Sequence, residues 1–269
     1  MQEYWVGIDV VHNFLKYVDQ HDVCPEYADD LKAAQKVCLQ AVKEVPDIEQ
    51  LLELVPGDFN TAMWFLHCTK DEAGDLDYNN FNMPDMDPKH AQMTQAVTMS
   101  VSGVVPEPGK LPAECPLTKT VEHTFEVLSI TLPDVVAKAK YKSVNQHLAD
   151  YLDIQPCGTM TARPVIIRNG WDNAMTATIP PEDNVESTFF LEEDILKLLT
   201  VGMKLTMAVC TLGRGGYKFI KHVKDIKPSF YVFLPQELMI KYKEPVLSER
   251  PGPSIHDKDD DEEGAGNDE

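Results

Sequence analysis

An acidic, amide-rich segment offers the first side chains suited to chemistry, and that chemistry would be calcium binding. Asp75, Asp77 and Asn79 alternate as the first three ligands of a calcium loop do. Such a loop also needs glycine at its sixth position and glutamate at its twelfth, where this chain has Asn80 and Met86. We therefore interpret the segment as a solvated acidic loop.

Histidine occurs near cysteine in two places, His21 with Cys24 and His67 with Cys68, and both residue types bind zinc. A structural zinc site needs four convergent ligands, and the cysteines form no CxxC pair. We expect neither a metal nor a cofactor. The scattered cysteines indicate reduced thiols in the cytosol or nucleus.

Catalytic motifs are missing from the sequence, which contains no GxSxG, HExxH or kinase-type loop. Residues 213–216, Gly-Arg-Gly-Gly, lack the lysine and hydroxyl of a phosphate-binding loop and are better explained as a turn. We name no catalytic residue and predict a protein that is not an enzyme. Because catalytic groups are assembled in space, an enzyme of unrecognised type, with a site between the helical and β parts, stays open as an alternative.

The net charge of -20 is the strongest feature of the composition. Residues 257–269 carry eight acidic side chains and one lysine, but the rest of the chain is also acidic. Such a protein repels phosphates and suits a basic partner, for example a nucleic-acid-binding protein. The only concentrated basic run, which would support a direct RNA-binding module, consists of Lys218, Lys221, Lys224 and Lys227 with Arg214 at the turn.

Four residues are candidates for partner binding: Arg163, Arg168, Trp171 and Arg214. Trp171 lies among polar residues directly after an Asn-Gly turn signal, and exposed tryptophan and arginine often anchor interfaces. A tryptophan that closes the edge of a sheet explains the same pattern. No apolar run is long enough to cross a bilayer, so we expect no membrane contact.

A hairpin is the element that the sequence indicates most strongly. Apolar residues alternate from Met203 to Thr211, four glycine-rich residues allow a reversal, and a second alternating run extends from Tyr217 to Ile226. Pro228 ends the pairing. Helical spacing and caps predict helices at Trp5–Val18, Tyr27–Val45, Pro46–Leu54, Phe59–His67, Glu192–Leu199, Pro133–Asp153 and Gln236–Tyr242. Alternation predicts further strands at Gln95–Val104, Val121–Leu132, Thr159–Arg168, Met175–Ile179 and Ser229–Leu234.

These elements predict an α+β fold. A helical N-terminal part is followed by a mostly antiparallel β part with one long embedded helix and a C-terminal hairpin. We divide the chain into a helical part (1–70), an acidic linker or loop (71–90), a mixed β domain (91–245) and a disordered acidic tail (246–269).

Several phrases carry a family resemblance: PGDFN from Pro56, HDVCPEY from His21, KAKYKSVNQHLADYLDIQPCGTMTAR from Lys138, FFLEEDILKLLTVGMKL from Phe189, and FIKHVKDIKPSFYVFLPQELM with KYKEP after it. Together they resemble the fungal Argonaute-binding subunit of the Argonaute siRNA chaperone (ARC) complex. The similarity spans most of the chain. Members of that family look longer at the N-terminus, and this chain begins at Met1 almost directly inside a predicted helix.

The resemblance implies a subunit in the nucleus and cytoplasm that holds Argonaute loaded with duplex siRNA and restrains release of the passenger strand. It implies a role in RNA interference and in heterochromatin assembly. The implied partners are Argonaute and a second chaperone-complex subunit, with RNA contacted indirectly through Argonaute.

Overall fold

The computed structural model describes residues 2–68, 86–104, 115–148, 153–167, 178–213, 216–231 and 246. Six helices and five strands form in these ranges, and the chain divides into two compact units, residues 1–42 with 234–269 and residues 43–233. The bounds are Gln2–Gln20 (α1), Ala28–Leu54 (α2), Asp58–His67 (α3), Pro88–Ser102 (α4), Leu117–Thr131 (β1), Val135–Leu148 (α5), Cys157–Val165 (β2), Ser187–Glu192 (β3), Glu193–Leu198 (α6), Lys204–Leu212 (β4) and Tyr217–Lys227 (β5).

The first unit contains α1 and the start of α2, joined through a short 3-10 helix at Pro25–Tyr27. The side-chain amide of Gln35 donates to the carbonyl of Leu15 (3.4 Å) and to a carboxylate oxygen of Asp19 (3.5 Å). Val18 of α1 is buried. The predicted pair of N-terminal helices is therefore present.

One predicted boundary in this region is wrong, because α2 continues through Pro46 to Leu54. Proline lacks the N–H that would bond to the carbonyl of residue 42, so the helix loses one internal hydrogen bond there. The boundary between the two compact units, Val42/Lys43, falls at this turn. Packing of Leu51 into the core of the second unit accounts for the continued helix.

The second unit is built on a five-stranded antiparallel sheet in the order β3-β2-β1-β4-β5. The predicted hairpin is confirmed as β4 and β5, with Lys204 opposite Lys227 and Leu212 opposite Tyr217. Gly213 has a φ of 60°, a conformation that a Cβ disfavours, so the glycine permits the reversal there. The predicted strand at Val121–Leu132 is also confirmed, as β1.

The sheet is curled, so that its two outer strands approach each other. The Lys218 ammonium of β5 donates to the Ser187 hydroxyl of β3 (2.8 Å), and the rings of Phe190 and Tyr217 stack at 6.4 Å. Leu51 of α2 and Ile195 of α6 join the strands in the larger core cluster. Other members of that cluster include Phe125, Val127, Met160, Phe189, Leu205, Met207, Val209 and Ile220.

A second cluster uses side chains that alternate with those of the first along the strands. It contains Phe59 and Met63 of α3, Met99 of α4, and Cys210 and Phe219 of the hairpin. Successive side chains of a strand point to opposite faces, so α3 and α4 cover part of the other face of the sheet. Among the described helices, none is both long and apolar enough to span a membrane.

The predicted strand Gln95–Val104 is wrong, because residues 95–102 belong to α4 and the two that follow are not strand. The Asp87 carboxylate accepts the backbone N–H of His90 (3.1 Å), which caps the helix start, and Gly103 ends the helix with a φ of 69°. The buried side of α4 is partly polar and includes Thr94 and Thr98. Capping at both ends and burial of a polar helix face prevail over the two-residue alternation.

The remaining elements agree with the predictions in part. The long helix is described from Val135 to Leu148; residues 149–152 of the prediction lie outside the described residues, and Asp153 is not helical. The Asp134 carboxylate caps this helix by accepting the N–H of Ala137 (2.6 Å). Strand β3 was not predicted, and residues 178–179 and 229–231 are not strand. The predictions for residues 69–85, 175–177, 232–245 and 247–269 lie outside the described residues. The α+β fold class is confirmed.

Candidate functional site

Of the four predicted partner-binding residues, the structure describes Arg163. Its guanidinium lies on the outer side of β2 and donates to the Glu126 carboxylate of β1 from Nε (3.1 Å) and Nη2 (2.8 Å). Arg163 is therefore exposed but already paired within the sheet. Arg168, Trp171 and Arg214 lie outside the described residues, and a role of the four in partner binding stays a prediction.

The lysines of β5 do not form one basic surface. Lys221 is buried and its ammonium lies 5.7 Å from the centre of the Trp64 ring, whereas Lys224 pairs with Glu122 (2.8 Å) on the outer side of the sheet. Lys227 pairs with Asp225 (2.8 Å), and Lys218 bonds to β3 as described above. Each of the four lysines contacts a different group, so together they do not form a continuous basic surface along which a phosphate backbone could lie.

The described histidines and cysteines do not assemble a metal site. No three His, Cys, Asp or Glu side chains of the described residues converge in a way that could hold a metal ion. Burial lowers the pKa of His67, and the Gln95 amide donates to its Nε2 (2.6 Å). Cys68 and Cys210 lie side by side in the second core cluster, with their sulfurs 4.0 Å apart.

A buried amide joins β3 and β5 along the line where these two outer strands of the curled sheet approach each other, here called the seam. Asn60, on the first turn of α3, is fully buried and donates its Nδ2 to the carbonyls of Phe190 in β3 (2.8 Å) and Pro56 (3.0 Å). Its Oδ1 accepts the backbone N–H of Ile220 in β5 (2.9 Å). One side chain therefore bonds to a carbonyl of one outer strand and to an N–H of the other. In a longer sheet, these two backbone groups would bond to a neighbouring strand instead.

A buried carboxylate lies beside this amide. Glu192, the last residue of β3, accepts the backbone N–H of Phe59 at 2.7 Å, at the positive end of α3. Its other oxygen faces Gly57, where the Cβ of any other residue would overlap the carboxylate. Burial raises the pKa of Glu192 to about 7, and the hydrogen bond from Phe59 opposes this rise. The bond from Phe59 to Glu192 holds the start of α3 on the sheet.

Polar side chains also meet near the start of β1. The Asp183 carboxylate pairs with Lys119 (2.5 Å) and lies 3.8 Å from Nε2 of His123. The hydrogen bond from Lys119 lowers the pKa of Asp183, and burial lowers the pKa of Lys218 nearby. These groups neutralise one another and fasten the turn before β3, and they do not align a nucleophile with a base.

Four exposed apolar side chains lie together on α1. Val6, Val10, Phe14 and Tyr17, here called the α1 stripe, have exposed fractions of 62%, 62%, 63% and 54%. Their spacing of four, four and three residues places them on one side of the helix. The ring of Tyr17 lies 4.3 Å from that of His21. Within the first unit, the stripe is a surface suited to protein contact rather than to catalysis.

Comparison with known protein families gives a match over most of the chain. A family model described as the Argonaute siRNA chaperone (ARC) complex subunit Arb1 matches residues 1–245. The chain belongs to the Arb1 family. No curated protein and no solved structure matches the chain.

Two phrases of this Arb1-family chain meet at the seam. PGDFN supplies Gly57, Phe59 and Asn60, and FFLEED supplies Phe190 and Glu192. They are distant in sequence but share hydrogen bonds around one buried position. These two phrases therefore supply residues that close the curled sheet.

Sequence reasoning missed both the seam and the α1 stripe. The signal for the seam was Asn60, which follows Gly-Asp-Phe at the start of a helix. Nothing in the sequence connects this asparagine with strands more than 100 residues away. The signal for the stripe was an apolar arc on α1 wider than one neighbouring helix can cover. Val11 and Phe14, which helical spacing places with the other apolar residues of α1, are exposed.

Proposed function

We propose that this chain is a non-enzymatic subunit that holds Argonaute loaded with duplex siRNA and restrains release of the passenger strand. It acts in RNA interference and heterochromatin assembly, in the nucleus and cytoplasm, together with a second subunit of the chaperone complex. The match of the Arb1 family model to residues 1–245 carries this proposal, since the family is a subunit of the Argonaute siRNA chaperone complex.

The charge distribution supports contact with RNA through Argonaute rather than directly. The net charge is -20, and the lysines of β5 bond to separate groups within the chain. A protein that binds duplex RNA by releasing counterions needs several lysines or arginines on one face. Argonaute therefore supplies the phosphate contacts, and this subunit contacts Argonaute.

Restraint of the passenger strand requires that the subunit binds one state of Argonaute more tightly than another. A ligand shifts an equilibrium only by the difference between its affinities for the two states. A hundredfold preference for duplex-loaded over guide-only Argonaute stabilises the duplex state by about 2.7 kcal/mol. That preference slows passenger release without any bond being made or broken by the subunit.

The test uses purified Argonaute loaded with an siRNA whose passenger strand carries a fluorophore. We expect saturating subunit to slow the release of the fluorescent strand, and to bind guide-only Argonaute more weakly than duplex-loaded Argonaute. The subunit alone leaves the duplex chemically intact. An unchanged rate of passenger-strand release at saturation, or equal affinity for duplex-loaded and guide-only Argonaute, would contradict the proposed restraint.

A second measurement separates indirect from direct RNA contact. The full chain is titrated with the same siRNA duplex in the absence of Argonaute, at 50 and 200 mM salt. We expect no binding at the higher salt, because no described basic surface tracks the phosphates. Binding that falls steeply with salt would favour the RNA-binding module instead.

A further inference from the structure

We propose, building on the function proposed above, that the α1 stripe is the surface that docks on Argonaute. Val6, Val10, Phe14 and Tyr17 insert into an apolar groove of Argonaute that is bordered by basic side chains. The stripe has the spacing by which an amphipathic helix fills a hydrophobic groove in a partner.

The size of the stripe supports a binding role. An aromatic side chain has about 200 Å² of surface, so the exposed parts of Phe14 and Tyr17 together leave on the order of 200 Å² in water. With the two valines the stripe reaches roughly 400 Å², the size of the largest apolar patch on a typical monomer, and such a patch is often functional. Roughly half of one partner's share of a standard interface is therefore already present on one helix.

Charge around the stripe selects the partner. Residues 1–42 contain seven acidic side chains and three lysines, and on α1 itself Asp9 and Lys16 are exposed, so the excess of acid belongs to the unit as a whole. In a dimer formed through this surface, the carboxylates of the two copies would repel each other, and the phosphates of RNA would be repelled by them in the same way. An RNA-handling protein such as Argonaute exposes basic side chains, which complement this surface.

The variant V10Q/F14Q tests this inference in the full chain. Glutamine is a good helix former, so α1 is retained while the centre of the stripe becomes polar. The matched control is V135Q/V136Q, which changes two valines of α5 with exposed fractions of 83% and 62%. We expect V10Q/F14Q to weaken binding to duplex-loaded Argonaute at least tenfold, and the control to stay within twofold of wild type.

A charge variant tests the second part of the inference. Asp9→Lys should weaken binding at low salt and lose its effect at high salt, since exposed charges are screened. An Asp9→Lys variant with unchanged affinity at low salt would overturn the basic border of the groove.

The remaining outcomes separate this inference from the proposed function. If wild type does not bind Argonaute, the proposed function fails, and the inference with it. If wild type binds and V10Q/F14Q binds within twofold, the inference alone is overturned. It is also overturned if V10Q/F14Q lowers the melting temperature or converts a wild-type dimer into monomers, because the stripe then contacts its own chain or a second copy.

Discussion

Replacement of Asn60 by alanine should cost much more stability than removal of the neighbouring Thr61 hydroxyl. The side chain makes three hydrogen bonds in a fully buried position, to the carbonyls of Pro56 and Phe190 and to the N–H of Ile220. Alanine removes all three and admits no donor or acceptor in their place.

The expected loss follows from the groups left behind. A buried polar group without a partner costs about 1–3 kcal/mol, and the variant leaves the Ile220 N–H and the Phe190 carbonyl in that state. We therefore expect N60A to lower the free energy of unfolding by about 3–5 kcal/mol, against a total of about 5–15 kcal/mol for a typical domain.

Urea unfolding of the purified full chain measures this loss, with T61A as the matched control. The Thr61 hydroxyl bonds to the carbonyl of Gly57 (2.7 Å), which also accepts the backbone N–H of Thr61 (3.0 Å). T61A therefore leaves that carbonyl satisfied, and we expect a loss of about 1 kcal/mol or less.

Hydrogen exchange of the wild type provides an independent measurement. If Asn60 seals the seam, the Ile220 amide exchanges as slowly as the amides of the central strands, although β5 is an outer strand. Fast exchange of this amide, or a loss in N60A no larger than in T61A, would refute the assignment of Asn60 as the bridge between β3 and β5.

Three further predictions concern Glu192, Gly57 and the thiols. Because the folded pKa of Glu192 is raised from 4.5 to about 7, its folded state binds the proton more tightly than the unfolded chain. The free energy of unfolding should therefore fall by about 3 kcal/mol from pH 4.5 to 7, and E192Q should flatten this dependence in urea unfolding. G57A should lower the melting temperature more than G103A, because both glycines have positive φ but only at Gly57 does a Cβ meet the Glu192 carboxylate; equal losses would contradict that contact. Labelling of native protein with a thiol reagent should modify Cys24 rapidly and the buried cysteines only after unfolding, and C24S should remove the fast phase.

The sequence predicts elements well where one signal dominates. Strands β4 and β5 alternate over nine or more residues on both sides of a glycine turn, so pattern and turn chemistry agree. In α4 the signals conflict, since Val97, Met99 and Val101 alternate while Asp87 and Gly103 are helix caps. Weighting the caps above the alternation would have given the correct assignment.

Tertiary contacts between distant residues were not predictable from one sequence. The bond from Asn60 to Ile220 spans 160 residues, and neither residue carries a local sign of the other. The exposure of Phe14 was equally hidden, because the apolar arc of a helix does not tell how much of it a neighbour covers. The family resemblance gave the functional class, which the structure alone does not specify.

The amide bridge also bears on how this protein stays apart from its own copies. Outer strands of open sheets offer bare backbone groups on which a second chain can add a strand, and such additions lead to aggregates. Here Phe190 and Ile220 present their groups to Asn60 instead. We expect the chain to tolerate high concentration in its folded form, and N60A to form fibrils or precipitate before the other α3 variants do.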